Sequence, residues 1–394
     1  MPKAYRQMKL LVILPRFPYP IEKGDKLRAF HQIRILSASF DIMLVAISHA
    51  SVKQSDIDMV KPYCKSITIV RQNWVAILLN LIRALFNGWP LQAGYYYSNK
   101  AQRKIDRLII EQKPDHVYCQ LLRTAAYAKN FKGPKTLDYQ DVFSKGVERR
   151  IPTASALMKI LLKFEYKRLQ RYEMKLFNQF DHKTIISVPD REYITHPERE
   201  KIVIVPNGVD RKYFSPGKST MTHELIFTGN MGYPPNVDCA EYLAKKVLPI
   251  IHRTHPDVKL MLAGASPHSK VKALANDKIT VTGWVDDIRT CYSSALIFLA
   301  PMQIGTGLQN KLLEAMSMRL PCITSSLCNA ALMAEEGTEI IVADTPEKVA
   351  EHTIALIEDQ TLRMQLAENG FYFSQRNYSW ESATEKLATL FRMQ

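Results

Sequence analysis

The sequence predicts an α/β protein made of two doubly wound, Rossmann-like domains. Two observations carry this. Short apolar runs of strand length alternate with segments of helical periodicity, the pattern of parallel strands covered by helices on both faces. That alternation runs through the first half of the chain and restarts after residues 201–210. The length of 394 residues also exceeds what one ordinary core organises, so two domains are expected.

In the first half, "KLLVILP" (9–15) reads as a buried strand because Leu, Val and Ile follow one another without a polar break. "KLRAFHQIRILSA" (26–38) places Leu27, Phe30, Ile33, Arg34 and Leu36 at helical spacing. Further strands are expected at 41–48, 66–70, 115–119, 135–138 and 183–187, with a long helical stretch near 154–179. After "KIVIVPNGVD" (201–210), strands are expected at 224–229, 258–264, 279–283, 295–301, 321–325 and 339–344. A helix should follow Pro234-Pro235 and another the strand 295–301. Ligands of such folds bind at the carboxyl ends of the strands, and a cleft between two such domains is the expected active site.

Hydrophobic residues make up 46% of the chain, ample for two cores. The net charge of +15 is uneven: residues 1–200 hold 34 Lys and Arg against 18 Asp and Glu, residues 201–394 hold 19 against 20. A basic first half suggests an anionic partner: a phospholipid surface, a phosphorylated substrate or nucleic acid. A diffuse charge without a Lys/Arg cluster or an aromatic–basic stacking motif argues against nucleic acid. The six cysteines are scattered without a CxxC and read as reduced thiols of a cytoplasmic protein. The N-terminal apolar run, Leu10 to Leu14, is too short for a signal peptide. No apolar run reaches the roughly 18 residues of a membrane span. The nearest, "WVAILLNLIRALF" (74–86), is flanked by Trp74 and Trp89; it suits a headgroup layer at the inner face of a membrane, or a buried or interdomain helix.

The stretch "QIGTGLQNKLLEAM" (303–316) carries the densest chemistry. Thr306 and Gln309 stand in capping-box spacing, which puts a helix start near Thr306. Bare amides at a helix start attract anions, and glycine lets a phosphate come close. Gly307, Lys311 and Glu314 are four and three apart and would share one helix face. That face offers amides, a cation and an acceptor, matching a nucleotide diphosphate and its ribose; an ordinary capped helix with a surface Lys–Glu pair fits equally. Asp138 and Asp141 follow a strand, so they should face the cleft, orienting acceptor hydroxyls or acting as a base, unless they cap the next segment. Asp56-Ile57-Asp58 has the spacing of metal-dependent transferases but reads as a helix start. The histidines show no ligand spacing, so neither a metal nor a cofactor is expected. His116 reads as a packed strand residue.

The segment "GTGLQNKLLEAMSMRLPCITS" resembles the donor-site signature of retaining GT-B glycosyltransferases of family four (glycosyl transferases group 1). "VPNGVDRKYFSP" (205–216), "FTGNMGYPPNVD" (227–238), "VTGWVDDIRTCYSSALIFLAP" (281–301), "PYPIEKGDKLRAFHQIRIL" (18–36) and "NYSWESATEKL" (377–387) are similar to other parts of that family. "PPNVD" and "LQNKLLEAM" point to its exosortase- and exopolysaccharide-associated sugar transferases. The resemblance implies two Rossmann-like domains facing across a cleft. It puts an acceptor-binding domain at 1–205, a donor-binding domain at 206–376, and a helix crossing back at 377–394. It also implies transfer of a sugar, with retention, from a nucleotide-diphosphate donor to a saccharide or lipid-linked acceptor in cell-surface polysaccharide or glycolipid synthesis. A nucleotide-sugar epimerase on the same architecture is the alternative.

Carried over by position, Glu314 would bind the ribose hydroxyls and Lys311 would neutralise the diphosphate. The amides of Gly305, Thr306, Gly307 and Leu308 would hold phosphate or donor sugar. Trp284 and Val285 would border the base, and Gly24 would let a first-domain loop close over the diphosphate. Asn230 also lies in the donor region, though it and its neighbours lack the Arg and distal Lys that many relatives use there. Thr306 replaces the first acid of the family pair, the usual contact to the donor sugar. Arg319 stands where glycine is common, and Cys119, Gln120 and Arg123 occupy a strand end where many relatives carry histidine.

Overall fold

The computed structural model describes residues 7–152, 154–217, 220–304 and 307–393. The chain divides into two compact units, Met1–Pro206 with Trp380–Gln394, and Asn207–Ser379.

The first unit holds seven strands: β1 (Met8–Leu14), β2 (Phe40–Ser48), β3 (Ser66–Arg71), β4 (His116–Gln120), β5 (Lys135–Asp138), β6 (His182–Ile185) and β7 (Val203–Ile204). They lie in the order β3-β2-β1-β4-β5-β6-β7, every pairing parallel. The sheet is wound outward in both directions from β1, whose continuous apolar run serves two faces at once. Leu10, Val12 and Leu14 pack on one side with Phe30 and Ile33 of the helix α1 (Gly24–Leu36). Leu11 and Ile13 pack on the other with Tyr127, Tyr139 and Leu169. Alternate residues of a strand point to opposite faces, so a run with no polar break is what a doubly covered strand needs. The helices used below are α2 (Trp74–Phe86), α3 (Asn99–Gln112) and α4 (Ala156–Gln179). Within the 201–210 segment, β7 pairs with β6 and closes the first sheet before the second series begins.

The second unit holds β8 (His223–Thr228), β9 (Leu260–Ala263), β10 (Ile279–Gly283), β11 (Ala295–Ala300), β12 (Cys322–Thr324) and β13 (Ile341–Val342). Their order is β10-β9-β8-β11-β12-β13, again all parallel. Its main helices here are α5 (Pro234–Tyr242) and α6 (Asn310–Ser317). The last helix, α7 (Trp380–Arg392), belongs to the first unit, where Ala383, Leu387, Ala388 and Phe391 join the Leu10 side of the core. Of the six cysteines, five are buried and all are free thiols. Asp56 and Asp58 lie within the helix Gln54–Val60. His116 is buried, its Nε2 2.8 Å from Thr136 Oγ1.

Candidate functional site

In the second unit the chemistry gathers at the carboxyl ends of β8, β9 and β11. Two glycines make that possible. Gly229 (φ 150°) and Gly264 (φ 140°) follow β8 and β9 in a backbone region that side chains rarely adopt. A Cβ on Gly264 would sit 1.9 Å from the Gly229 carbonyl oxygen, and one on Gly229 would sit 2.6 Å from Asn236 Nδ2 and 3.2 Å from Lys311 Nζ. The strand ends therefore close together over bare backbone, leaving room for Lys311.

Lys311 is held in that space. Its Nζ donates to Asn236 Oδ1, approaches Met302 Sδ at 3.6 Å and stands 4.6 Å from the Phe227 ring centroid. Asn236 is positioned in turn by donating from Nδ2 to the Asn230 carbonyl at 2.9 Å. Among the described residues no carboxylate forms an ion pair with Lys311. Burial pushes its pKa down to about 8. A half-buried cation whose direct hydrogen-bond partner is neutral can take an anion; the Glu314 carboxylate acts on it only at longer range.

One turn further, Glu314 Oε2 accepts from Tyr292 OH at 2.7 Å, and Tyr292 OH is 2.7 Å from Thr228 Oγ1. Burial raises the Glu314 pKa. Tyr292 is fully buried and fixes the carboxylate, while Oε1 has no hydrogen-bond partner among the described residues. Lys311 and Glu314 thus do not form the surface pair that spacing allowed: each is held by a different neighbour.

The entry to α6 differs from the expected capping box. The helix begins at Asn310 rather than near Thr306, and its N-cap is Gln309, with no side-chain cap bond. Gly305 and Thr306 lie outside the described residues. Gly307 (φ 82°) and Leu308 precede the helix, so Gly307 does not share a helix face with Lys311 and Glu314. Positive φ at Gly307 turns the chain before the helix, a conformation glycine adopts without strain. At the other end Arg319 adopts φ 55°, the left-handed conformation that explains why glycine suits this position.

The remaining expected donor residues fall as follows. Asn230 is exposed and its Oδ1 accepts from the Gly232 amide at 3.0 Å, shaping the turn after β8. Trp284, 69% exposed, follows β10, its Nε1 donating to Asp286 Oδ1 at 3.2 Å, and Val285 packs on the core. Gly24 opens α1 in the first unit, and a Cβ there would meet open space, so no close approach demands a glycine.

Asp138 requires a correction. The sequence suggested a cleft-facing carboxylate, but Asp138 is fully buried, as is Arg28, which donates to it from Nε at 2.7 Å and Nη2 at 3.1 Å. Thr184 Oγ1 (2.8 Å) and Tyr118 OH (2.9 Å) complete its shell, with Gln140 Nε2 at 3.3 Å. Both oxygens are saturated, which leaves no lone pair for a base. Asp141 is exposed three residues on. Sequence reasoning missed Asn236, Tyr292 and Thr228. All three lie inside segments quoted above for their family resemblance, but nothing local announces that Tyr292 and Thr228, 64 residues apart, meet at Glu314.

The pKa of Lys311 carries a pH prediction. An anion bound against Lys311 would favour the protonated amine, so its binding would fall as pH rises through about 8 and stay flat below it. Between pH 7 and 9 the dissociation constant of such an anion should rise about tenfold, one decade per pH unit above the free pKa. Lys311→Arg, charged throughout, should flatten the profile; titration calorimetry across that range checks it.

Residues 222–359 match the family model of glycosyl transferases group 1. A protein of Klebsiella pneumoniae described as an uncharacterized 44.6 kDa protein in the cps region is 23% identical over 389 residues, spanning 94% of this chain and 96% of its own. A GDP-mannose-dependent monoacylated alpha-(1-6)-phosphatidylinositol monomannoside mannosyltransferase of Corynebacterium glutamicum is 26% identical over 211 residues, 47% of this chain and 55% of its own. Among solved structures, Anabaena Alr3699/HepE in complex with UDP-glucose superposes with a TM-score of 0.68 at 13% identity, covering 97% of this chain and 98% of that one. The fold is therefore that of the GT-B glycosyltransferases, two parallel-sheet Rossmann-like units, and the match to the group 1 family model lies within the second unit.

Proposed function

We propose that this protein transfers a sugar, with retention, from a nucleotide-diphosphate donor to an acceptor hydroxyl in the synthesis of a cell-surface polysaccharide or glycolipid. The observation that carries the reading is Lys311: a half-buried lysine with no carboxylate partner among the described residues, at strand ends inside the family-matched domain. In this reading Lys311 and the Gly307 and Leu308 amides meet the diphosphate. Its charge lies where the leaving group becomes more negative as the bond to the sugar breaks, so it is worth more in the transition state than in the ground state. Glu314, oriented by Tyr292, accepts from the ribose hydroxyls through Oε1. Trp284 and Val285 border the base. The lysine supplies the charge that a metal supplies in other transferases, so transfer proceeds without added divalent cation. On the acceptor side Asp141 remains available as base or orienting group, since Asp138 is saturated. The relatives bind or use GDP-mannose and UDP-glucose in their own reactions, which supports a nucleotide-diphosphate sugar here without choosing the base.

The test is a thermal-shift screen of nucleotide-diphosphate sugars. At a hundredfold excess over its dissociation constant a true donor stabilises by about 2.7 kcal/mol, a rise of several degrees. Absence of a shift with every UDP-, GDP-, ADP- and dTDP-sugar would overturn the reading. A hit that yields a new sugar isomer with no acceptor present would point to an epimerase instead.

A further inference from the structure

The helix α2 has an unusual surface for a helix of a folded domain. Only Ile77, Asn80 and Ala84 are buried. Trp74 (71% exposed), Val75, Leu78, Leu79, Ile82, Leu85 and Phe86 (85%) face outward, so the buried stripe is the narrow one and the exposed face is the apolar one. Burial against the rest of the unit, the alternative left open by the sequence, is excluded for these residues.

A second helix continues that face. On α4, Leu162, Leu169, Tyr172 and Leu176 turn inward, while Leu157, Ile160, Leu161 and Phe164 form a separate exposed stripe at helical spacing. Arg168 joins the two helices: its Nη2 donates to the Leu85 carbonyl at 2.8 Å and its guanidinium lies 5.0 Å from the Phe164 ring centroid. The end of α2 and the first half of α4 therefore form one apolar surface, far beyond the scattered exposed side chains of a soluble domain.

The charge around this surface has one sign. Residues 59–105 contain seven Lys and Arg and no Asp or Glu. Along α4 both acids, Glu165 and Glu173, are buried, so every charged side chain that reaches solvent there is Lys or Arg. Beside α2, at the ends of β2 and β3, a cavity of about 610 Å³ is lined by His49, Arg71, Gln72, Trp74, Arg83 and Lys100. Among the described residues none of these three cations has a carboxylate partner. Gln72 is buried with its Oε1 unpaired, and both ring nitrogens of His49 are buried without partners. The N-termini of α2 and α3 open on the same cavity through Asn73 and Ser98, and so add partial positive charge.

We propose that the α2–α4 face seats the protein on an anionic bilayer, and that the cavity beside it takes a lipid headgroup phosphate. An apolar stripe rimmed by cations is the composition that inserts at the headgroup boundary, with Trp74 at its edge. A second copy of the chain is the rival occupant, but two faces of the same charge would repel across a symmetric interface.

The inference does not need the transferase reading, because its readout is binding without turnover. The full chain should co-sediment with vesicles of phosphatidylcholine containing 30% phosphatidylglycerol at least tenfold better than with phosphatidylcholine alone. Leu78→Glu with Leu161→Glu should abolish binding to both. Arg71→Gln with Arg83→Gln and Lys100→Gln should reduce the phosphatidylglycerol preference at least threefold, with the melting temperature unchanged. Equal binding to both vesicles, no binding to either, or a dimer in light scattering that the double Glu variant makes monomeric would overturn it.

Discussion

Replacing Glu314 by alanine is expected to lower transfer by about 10²- to 10⁴-fold while the protein stays folded. Two hydrogen bonds from ribose hydroxyls to a carboxylate are worth about 1.5–3 kcal/mol each, and every 1.36 kcal/mol is a decade in rate. The fold survives because Tyr292, the partner of Glu314 Oε2, keeps its contact with Thr228 Oγ1. Burial already opposes the charged form of Glu314, so the loss of that charge relieves a cost as well as removing a bond. Glu314→Gln, which retains an acceptor oxygen, should fall between wild type and alanine. Steady-state kinetics with a saturating acceptor, beside a thermal melt of each variant, measures both effects. Full activity in the alanine variant would sink the assignment of Glu314.

Asp138→Ala is expected to have the largest effect on stability. It leaves the Arg28 guanidinium buried without its carboxylate and takes the acceptor from Tyr118 and Thr184. Removing one partner of a buried ion pair costs about 3–5 kcal/mol. For a unit of this size that is a fall of roughly 6 to 20 °C in melting temperature. A second variant, Asp138→Asn, separates the two roles considered for this residue. A catalytic base replaced by asparagine would leave the melt nearly unchanged and remove activity. A structural carboxylate replaced by asparagine lowers the melt, because an amide does not neutralise Arg28.

What the sequence by itself determined was whatever depends on local pattern. Apolar runs such as Leu10–Leu14 and Ala295–Ala300 are strands because a doubly covered strand needs both faces apolar, and their alternation with helices fixed parallel sheets. Lys311 and Glu314 were legible because their spacing along one helix is a local property. Tertiary structure decided everything that depends on which distant groups meet. It gave Lys311 a neutral amide partner from α5 and Glu314 a tyrosine 22 residues away, where spacing alone allowed a surface pair. It closed Asp138 inside a shell drawn from α1, β4 and β6, which no local signal around "LDYQD" announces. It put the start of α6 at Asn310, after a left-handed turn at Gly307. And it left α2 exposed: a 13-residue apolar helix reads the same whether buried or not, and only the packing of its neighbours shows which face remains uncovered.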